Sequence, residues 1–248
     1  DQRLSRSSVY TNYTHELEMM LRFVGKKYKL NAGFMVQPQS SHFTQDYLGQ
    51  FADTTRSVFN VSPALELRYK FSDVSQLRIN YRGTSSQPSM SDLLDIVDDS
   101  DPLNVHRGNP GLKPSFTNSL RFFYNTYRER RQQAFMTFLD YSNTRNAVSN
   151  RVTYDEITGG RITQPDNING NWNANAGLMF NTAIDSAGVF NVNTFTNLGY
   201  NNYVGYISLN STSGSQRNVT RSLSLSERLA TSYRNSWFEL ELDGSFTY

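Results

Sequence analysis

Gly108-Asn109-Pro110-Gly111-Leu112-Lys113-Pro114 is the stretch on which the reading of this chain turns. Pro110 and Pro114 fix φ and withhold amide donors, and Gly111 can supply a positive φ. Leu112 is the apolar side chain available to anchor such a turn against a rim. The stretch lacks the Gly-Lys-Ser/Thr ending of a phosphate loop and opens a strand pattern, not a helix. It reads as punctuation that sets where the next strand enters a sheet. Upstream lie Pro88-Ser89-Met90-Ser91-Asp92-Leu93-Leu94 and Asp98-Asp99-Ser100-Asp101-Pro102-Leu103-Asn104-Val105, both in a long polar connection. A short helix from Ser91 to Val97 fits there. Ser91 would be its N-cap, Asp92 would sit in its first turn, and Leu93, Leu94 and Val97 would form its apolar face.

Outside this connection, period-two alternation dominates. From Tyr28 to Val36, one face carries Tyr28, Leu30, Ala32, Phe34 and Val36, and the other Lys29, Asn31, Gly33 and Met35. From Phe59 to Phe71, Leu65, Leu67 and Tyr69 alternate with Glu66, Arg68 and Lys70. From Trp172 to Ile184, Trp172, Ala174, Ala176, Leu178 and Phe180 alternate with Asn173, Asn175, Gly177, Met179 and Asn181. In the last run Phe238, Leu240, Leu242, Gly244, Phe246 and Tyr248 oppose Glu239, Glu241, Asp243 and Ser245. A helix would scatter these apolar residues around its cylinder, whereas a strand gathers them on one face.

Short turns are expected near Gly25-Lys26-Lys27, Ser72-Asp73-Val74, Arg128-Glu129-Arg130-Arg131, Ser186-Ala187-Gly188 and Thr231-Ser232-Tyr233. Long connections are expected from Pro38 to Ser57, Pro88 to Pro114, Asn143 to Pro165 and Asn201 to Asn218. The spacing implies about ten antiparallel strands, with short turns at one end and long loops at the other, as in outer-membrane barrels.

Composition fits that class. The chain has 248 residues, 37% hydrophobic and 19% charged, with a formal charge of +2. A mean hydropathy of −0.59 does not exclude a transmembrane barrel, because only alternate residues face lipid. No apolar run approaches the roughly 18–20 residues of a transmembrane helix. The charge balance argues against a dedicated nucleic-acid binder. Cysteine is absent, which excludes a disulfide framework, a thiolate metal site and a cysteine nucleophile. The 15 Tyr, 16 Phe and 2 Trp suit the aromatic girdles that barrels place at both membrane interfaces. Asp1-Gln2-Arg3-Leu4 has no signal-peptide pattern.

The segment from Pro88 to Pro114 resembles the loop-and-strand signature of TonB-dependent receptors, the large gated barrels of Gram-negative outer membranes. The resemblance is to the subgroup of outer-membrane β-barrel proteins. It rests on Pro88-Ser89 with Leu93, on the acidic stretch ending in Asp101-Pro102-Leu103, and on Gly108-Asn109-Pro110 with Leu112-Lys113-Pro114. Asp101 stands where the family has Asn, and Ser115 where it has Glu.

The fold this implies is all-β, an antiparallel up-and-down transmembrane barrel wall. Family barrels have ~22 strands, so residues 1–248 are expected to form one partial barrel domain, truncated at the N-terminal side and at the C-terminal side as well. The plug and its energy-coupling box would lie outside it. The function implied is capture and import of a scarce, bulky solute: an iron chelate, vitamin, glycan or peptide. The partners implied are outer-membrane lipid and the TonB complex, reached through the plug, with a surface lipoprotein left open and no nucleic acid. Neither an enzyme activity nor a cofactor is expected. Ligand contacts are expected from the loops and upper lumen, at Asn80, Arg82, Asp98, Asp99, Asp101, His106 and Arg107. Pro88, Asn109, Pro110, Leu112, Lys113 and Pro114 would be structural. The alternatives are a non-transport barrel, such as an adhesin or scaffold, and a soluble β-sandwich binding module, since alternation does not say what covers the apolar face.

Other chemistry is weakly supported. Asp92, Asp95, Asp98, Asp99 and Asp101 lack the spacing of a calcium loop, so a solvated loop is the better reading. His15, His42 and His106 are scattered, and no metal site is expected. There is no Gly-x-Ser-x-Gly elbow. Glu239, Glu241 and Asp243 share a strand face and could mimic a glycosidase pair, but a polar lumen face explains them better.

Overall fold

The computed structural model describes residues 6–47, 50–94, 97–154, 157, 159–185, 187–208 and 215–248. Asp95 and Ser186, named in the sequence reading, lie outside them. The strands are β1 (Arg6–Thr14), β2 (Leu17–Val24), β3 (Tyr28–Tyr47), β4 (Gln50–Ser72), β5 (Ser75–Ser86), β6 (Val97–Asp98), β7 (Asn104–Arg107) and β8 (Ser115–Arg128). They continue with β9 (Gln133–Arg145), β10 (Ala147–Tyr154), β11 (Arg161–Ile168), β12 (Asn171–Ala183), β13 (Phe190–Ser208), β14 (Ser215–Arg234) and β15 (Glu239–Thr247). Helix is confined to α1 (Met90–Leu93) and a 3-10 turn at Glu129–Arg131 among the described residues.

Eleven strands make one antiparallel sheet in the order β1-β3-β4-β5-β8-β9-β12-β13-β14-β15, with β2 also on β3. β1 and β2 share the same edge of β3: β2 pairs along Lys29–Val36 and β1 along Gln39–Tyr47. The edge changes hands next to Pro38, which has no amide to give a ladder; its carbonyl accepts from the His15 amide at 3.0 Å. The wall is therefore ten strand positions wide, with sequence neighbours adjacent in space. Its outer edges carry no partner strand among the described residues.

The sheet is a single layer, and this decides its environment. Among the described residues the buried apolar side chains are only Phe43, Leu93, Leu94, Leu112, Ile168 and Val204. Leu21, Phe34, Leu65, Leu139, Leu178, Leu198, Leu223 and Leu242 are all exposed. A β-sandwich would cover such a face with a second sheet. No sheet covers that face among the described residues, so the sandwich alternative fails.

The structure corrects several of the expected connections. Pro38 to Ser57 and Asn201 to Asn218 are not loops. β3 runs through to Tyr47 and β4 starts at Gln50, while β13 reaches Ser208 and β14 starts at Ser215. Strands of 20 and 23 residues span ~65–75 Å, far more than the ~25 Å apolar band of an outer-membrane barrel. Beyond the length of such a band they continue as paired hairpins. The turn expected at Thr231-Ser232-Tyr233 falls later, because β14 continues to Arg234. The helix is shorter and earlier than Ser91 to Val97. Its N-cap is Ser89, whose side chain accepts from the Asp92 amide at 3.1 Å, and Val97 is in a strand.

The two remaining long connections build a structure of their own. β10, β11, β7 and β6 form a second sheet, in that order. Its centre is a parallel pair, β11 on β7, with Arg161 opposite Asn104 and Thr163 opposite His106. This pairing ties the connection before β8 to the connection between β9 and β12. The chain leaves β9 through Asn146 at φ 51, a backbone conformation that Asn tolerates.

Candidate functional site

Register carries one face across the whole wall. Arg22 on β2 aligns with Asn31, Glu66, Asn80, Arg121, Asp140 and Asn175 on successive strands. Three neighbouring pairs of this polar row are bonded. The Arg22 Nε donates to Asn31 at 3.2 Å, Asn31 Nδ2 donates to Glu66 at 2.9 Å, and Arg121 pairs with Asp140. Further along, Arg228 pairs with Asp243 and Arg234 with Glu239.

The opposite face is apolar, with Leu21, Ala32, Leu65, Tyr81, Leu120, Tyr141, Ala174 and Tyr200 in one continuous row. Aromatic contacts mark two levels on it. Near the short turns lie Tyr69–Phe71, Phe71–Tyr124 and Tyr124–Phe135, with centroids 4.8, 6.1 and 6.2 Å apart, and Phe190–Tyr233 at 6.5 Å. Near the other end Trp172 lies 6.1 Å from Tyr141 and stacks on Tyr200 at 4.8 Å. On β9 the levels are Phe135 and Tyr141, ~20 Å apart along the strand. Two aromatic levels on an apolar face are the pattern of the girdles that outer-membrane barrels carry. One carboxylate interrupts the band. Glu227, between Leu225 and Leu229, accepts from the hydroxyls of Thr194 and Thr196 at 2.5 Å each.

The mouth is capped by the second sheet and α1. Leu93, Leu94, Leu112 and Ile168 are its buried apolar residues, and Phe43 of β3 is buried as well. Phe43 and Gln45 lie on the same face of β3 as Lys29 and Asn31, so the cap folds over the polar side of the wall. Asn109 organises it. Its Oδ1 accepts from the Gly111 amide at 2.9 Å, its Nδ2 donates to the Pro165 carbonyl at 3.0 Å, and its amide donates to Asp92 at 2.5 Å. Leu112 is 2% exposed, and its carbonyl accepts from Arg56 of the β4 wall at 2.9 Å. Lys113 and Asn167 exchange two bonds, of 2.7 and 3.0 Å. Pro88 is buried, while Pro110 and Lys113 are exposed. Gly111 does not take the positive φ expected of it. The glycine that matters is Gly108, where a Cβ would meet the Leu94 carbonyl oxygen at 1.8 Å.

Two cavities open on the polar side. One, of about 670 Å³, lies on β2–β5 and is lined by Glu18, Arg22, Asn31, Glu66, Asn80 and Arg82 among others. The other, of about 260 Å³, lies under the cap and is lined by Gln45, Asp92, Asp98, His106, Arg107, Asn150 and Thr163 among others. The seven residues expected to touch ligand are thus divided. Asn80 and Arg82 line the wall cavity, and Asp98, His106 and Arg107 line the cap cavity. Asp99 and Asp101 line neither of these two cavities. The Asp101 carboxylate accepts from the Asn104 side chain and the Leu103 amide, and these bonds, the Asn104 one foremost, hold its pKa below the usual value. Its place is in a turn. Glu18, Arg22, Asn31 and Glu66 were missed, although their alternation with apolar neighbours was readable. Asn150 and Thr163 reach the cap cavity only through strand pairings that no local pattern announces.

The model of the outer membrane protein β-barrel family matches residues 5–246. The chain belongs to that family. Its apolar face is accordingly the one that meets hydrocarbon, and its polar face is the lumen. The copper transporter OprC shares the fold, with a TM-score of 0.54 at 16% identity over 92% of this chain and 33% of OprC. The alcaligin outer-membrane receptor FauA of Bordetella pertussis scores 0.43 at 13% identity, over 97% of this chain and 45% of its own. The siderophore receptor PirA of Acinetobacter baumannii scores 0.43 at 9% identity, over 97% and 48%. This chain spans a third to a half of the length of these structures. A search of curated proteins finds no match.

Proposed function

We propose that residues 1–248 are part of the barrel of a TonB-dependent outer-membrane receptor that captures and imports a bulky polar solute. The observation that carries this reading is the capped, polar-lined mouth. Two long connections are knitted into one sheet over the lumen side of the wall, enclosing a cavity that holds Asp98, His106 and Arg107. A structural scaffold needs no such cap, whereas a receptor needs a surface that recognises solute before the lumen takes it. Energy would come through TonB acting on a plug domain, and the rest of the wall would come from further strands, since hydrocarbon leaves open strand edges unsatisfied. The cap would face the cell exterior and the Glu129–Arg131 turn the periplasm. The solute would be an iron chelate, vitamin, glycan or peptide, and a surface lipoprotein could assist its capture. The residues assembled here bind and conduct, and we assign them no catalytic step.

Uptake of labelled iron chelates, cobalamin, oligosaccharides and peptides tests the proposal in cells with and without the whole natural protein, each with and without TonB. Uptake of one class that requires both proteins is expected. If no class depends on TonB and the cells lose only adhesion or envelope integrity, the adhesin or scaffold reading replaces it. Orientation is read separately. A cysteine replacing Ser100 should react with a membrane-impermeant reagent on intact cells, and one replacing Arg130 should not. The reverse pattern would invert the wall.

A further inference from the structure

The lumen face of β2–β5 holds more positive charge than it neutralises. Register places Lys29 of β3, Arg68 of β4 and Arg78 of β5 side by side in one row. Adjacent strands stand ~4.8 Å apart, and like charges directly opposite destabilise a sheet. This face carries Arg22, Lys29, Arg68, Lys70, Arg78 and Arg82, against Glu18 and Glu66. Glu66 is already engaged, accepting from Asn31 at 2.9 Å and lying 3.8 Å from Arg68. Lys29 and Arg78 have no carboxylate partner among the described residues. Arg68 and Arg78 each bury an Nε that has no hydrogen-bond acceptor. The guanidinium of Arg78 sits 5.9 Å from the centroid of Phe123, which supports it from the next strand. Elsewhere on the lumen face the cations are matched: Arg121 by Asp140, Arg228 by Asp243, Arg234 by Glu239. The surplus belongs to the β2–β5 face, where this row sets three cations side by side, and is not a property of the whole wall.

We propose that the Lys29–Arg68–Arg78 row is an oxyanion-binding site on the inner wall that takes carboxylate or phosphate groups. Arginine forks match both groups bidentately, and an anion set among three cations turns their repulsion into attraction. The row lies at the short-turn end. Lys29 follows the turn at residues 25–27, and Arg68 and Arg78 flank the turn at Asp73-Val74. It is therefore separate from the cavity under the cap. The proposal rests on reading the polar face as the lumen. The oxyanion arrives either on a free anionic solute or as acidic side chains of polypeptide filling the lumen, and the test distinguishes these sources.

The test is thermal unfolding of the whole natural protein in detergent, with citrate or inorganic phosphate titrated at constant ionic strength. Wild type is compared with Arg68→Gln/Arg78→Gln and with Arg68→Lys/Arg78→Lys. For a free solute, both anions raise the melting temperature of wild type and of the lysine variant by several degrees and leave the glutamine variant unmoved. For a polypeptide source, the anions change nothing, the glutamine variant melts several degrees below wild type, and the lysine variant recovers most of the difference. A glutamine variant at least as stable as wild type, with no anion response in any protein, overturns the proposal, because removing the charges would then only have relieved repulsion. If the double variant does not fold, Arg78→Gln alone is read in the same way. The lumen reading is checked independently. A cysteine replacing Ala64 should react with a water-soluble maleimide in vesicles, and one replacing Leu65 should not. Failure there overturns the lumen assignment and leaves the anion measurement standing on its own.

Discussion

The wall and the cap solve the same problem in opposite ways. The wall has almost no core. Its leucines point outward at Leu65, Leu139 and Leu178, and its polar side chains bond to one another across the lumen face. The cap has no membrane to lean on. It turns Leu93, Leu94, Leu112 and Ile168 inward, where all four are buried. Solvent explains the difference: a strand in lipid exposes its apolar face, and a loop in water must hide it. A substitution should therefore change its meaning between the two regions.

The largest effect is expected in the cap. Leu94, 3% exposed, loses packing on all sides in Leu94→Ala, at a cost of ~2–5 kcal/mol. That cost should be local. Protease cutting between Pro88 and Pro114 should rise sharply while barrel unfolding by heat is unchanged. If instead the whole barrel loses stability, the cap and wall are one cooperative unit. Next comes the wall. Leu139 lies between the two aromatic levels of β9, so Leu139→Arg should cost ~2–4 kcal/mol in refolding into lipid vesicles. An arginine tolerated there would place Leu139 away from hydrocarbon.

Glu227 sharpens the same contrast. Thr194→Val/Thr196→Val strips both hydroxyls from a carboxylate on the lipid face and should cost ~1–3 kcal/mol. Glu227→Leu should be neutral or stabilising. If the leucine variant is the less stable of the two, something other than lipid covers that point. The smallest change is Asp243→Asn, which weakens an exposed lumen pair with Arg228 and should cost below ~1 kcal/mol in the same refolding assay. A larger loss would put Asp243 in a buried network.

How much of this was readable followed the same division. The wall was legible because period two is a local property. The alternations at Tyr28–Val36 and Phe59–Phe71 survive in register as Leu30 beside Leu67 and Lys29 beside Arg68. The extent of the strands was less legible. Polar residues such as Ser41, His42 and Thr44 look like a loop, yet they continue the β3–β4 hairpin with few apolar residues on either face. The cap was not legible as a structure. Its parallel pairing joins residues near Asn104 to residues near Arg161, and the Asn109 side chain bonds to the Pro165 carbonyl. No window of sequence shows those partners together. The motif at Asn109 to Pro114 was visible as punctuation, but the Gly108 contact with Leu94 needed coordinates.

A nitroxide scan along β9 tests the central claim most directly, because residues 1–248 contain no cysteine of their own. Single cysteines from Ala134 to Asn143 would be labelled in the whole natural protein and reconstituted in lipid vesicles. Collisions with dissolved oxygen and with a water-soluble nickel chelate are then measured at each site. Oxygen should peak at Phe135, Thr137, Leu139 and Tyr141, and nickel at Met136, Phe138, Asp140 and Ser142, with a strict period of two. The inverse phase, or no alternation at all, would contradict a wall whose apolar face meets lipid and whose polar face lines the lumen.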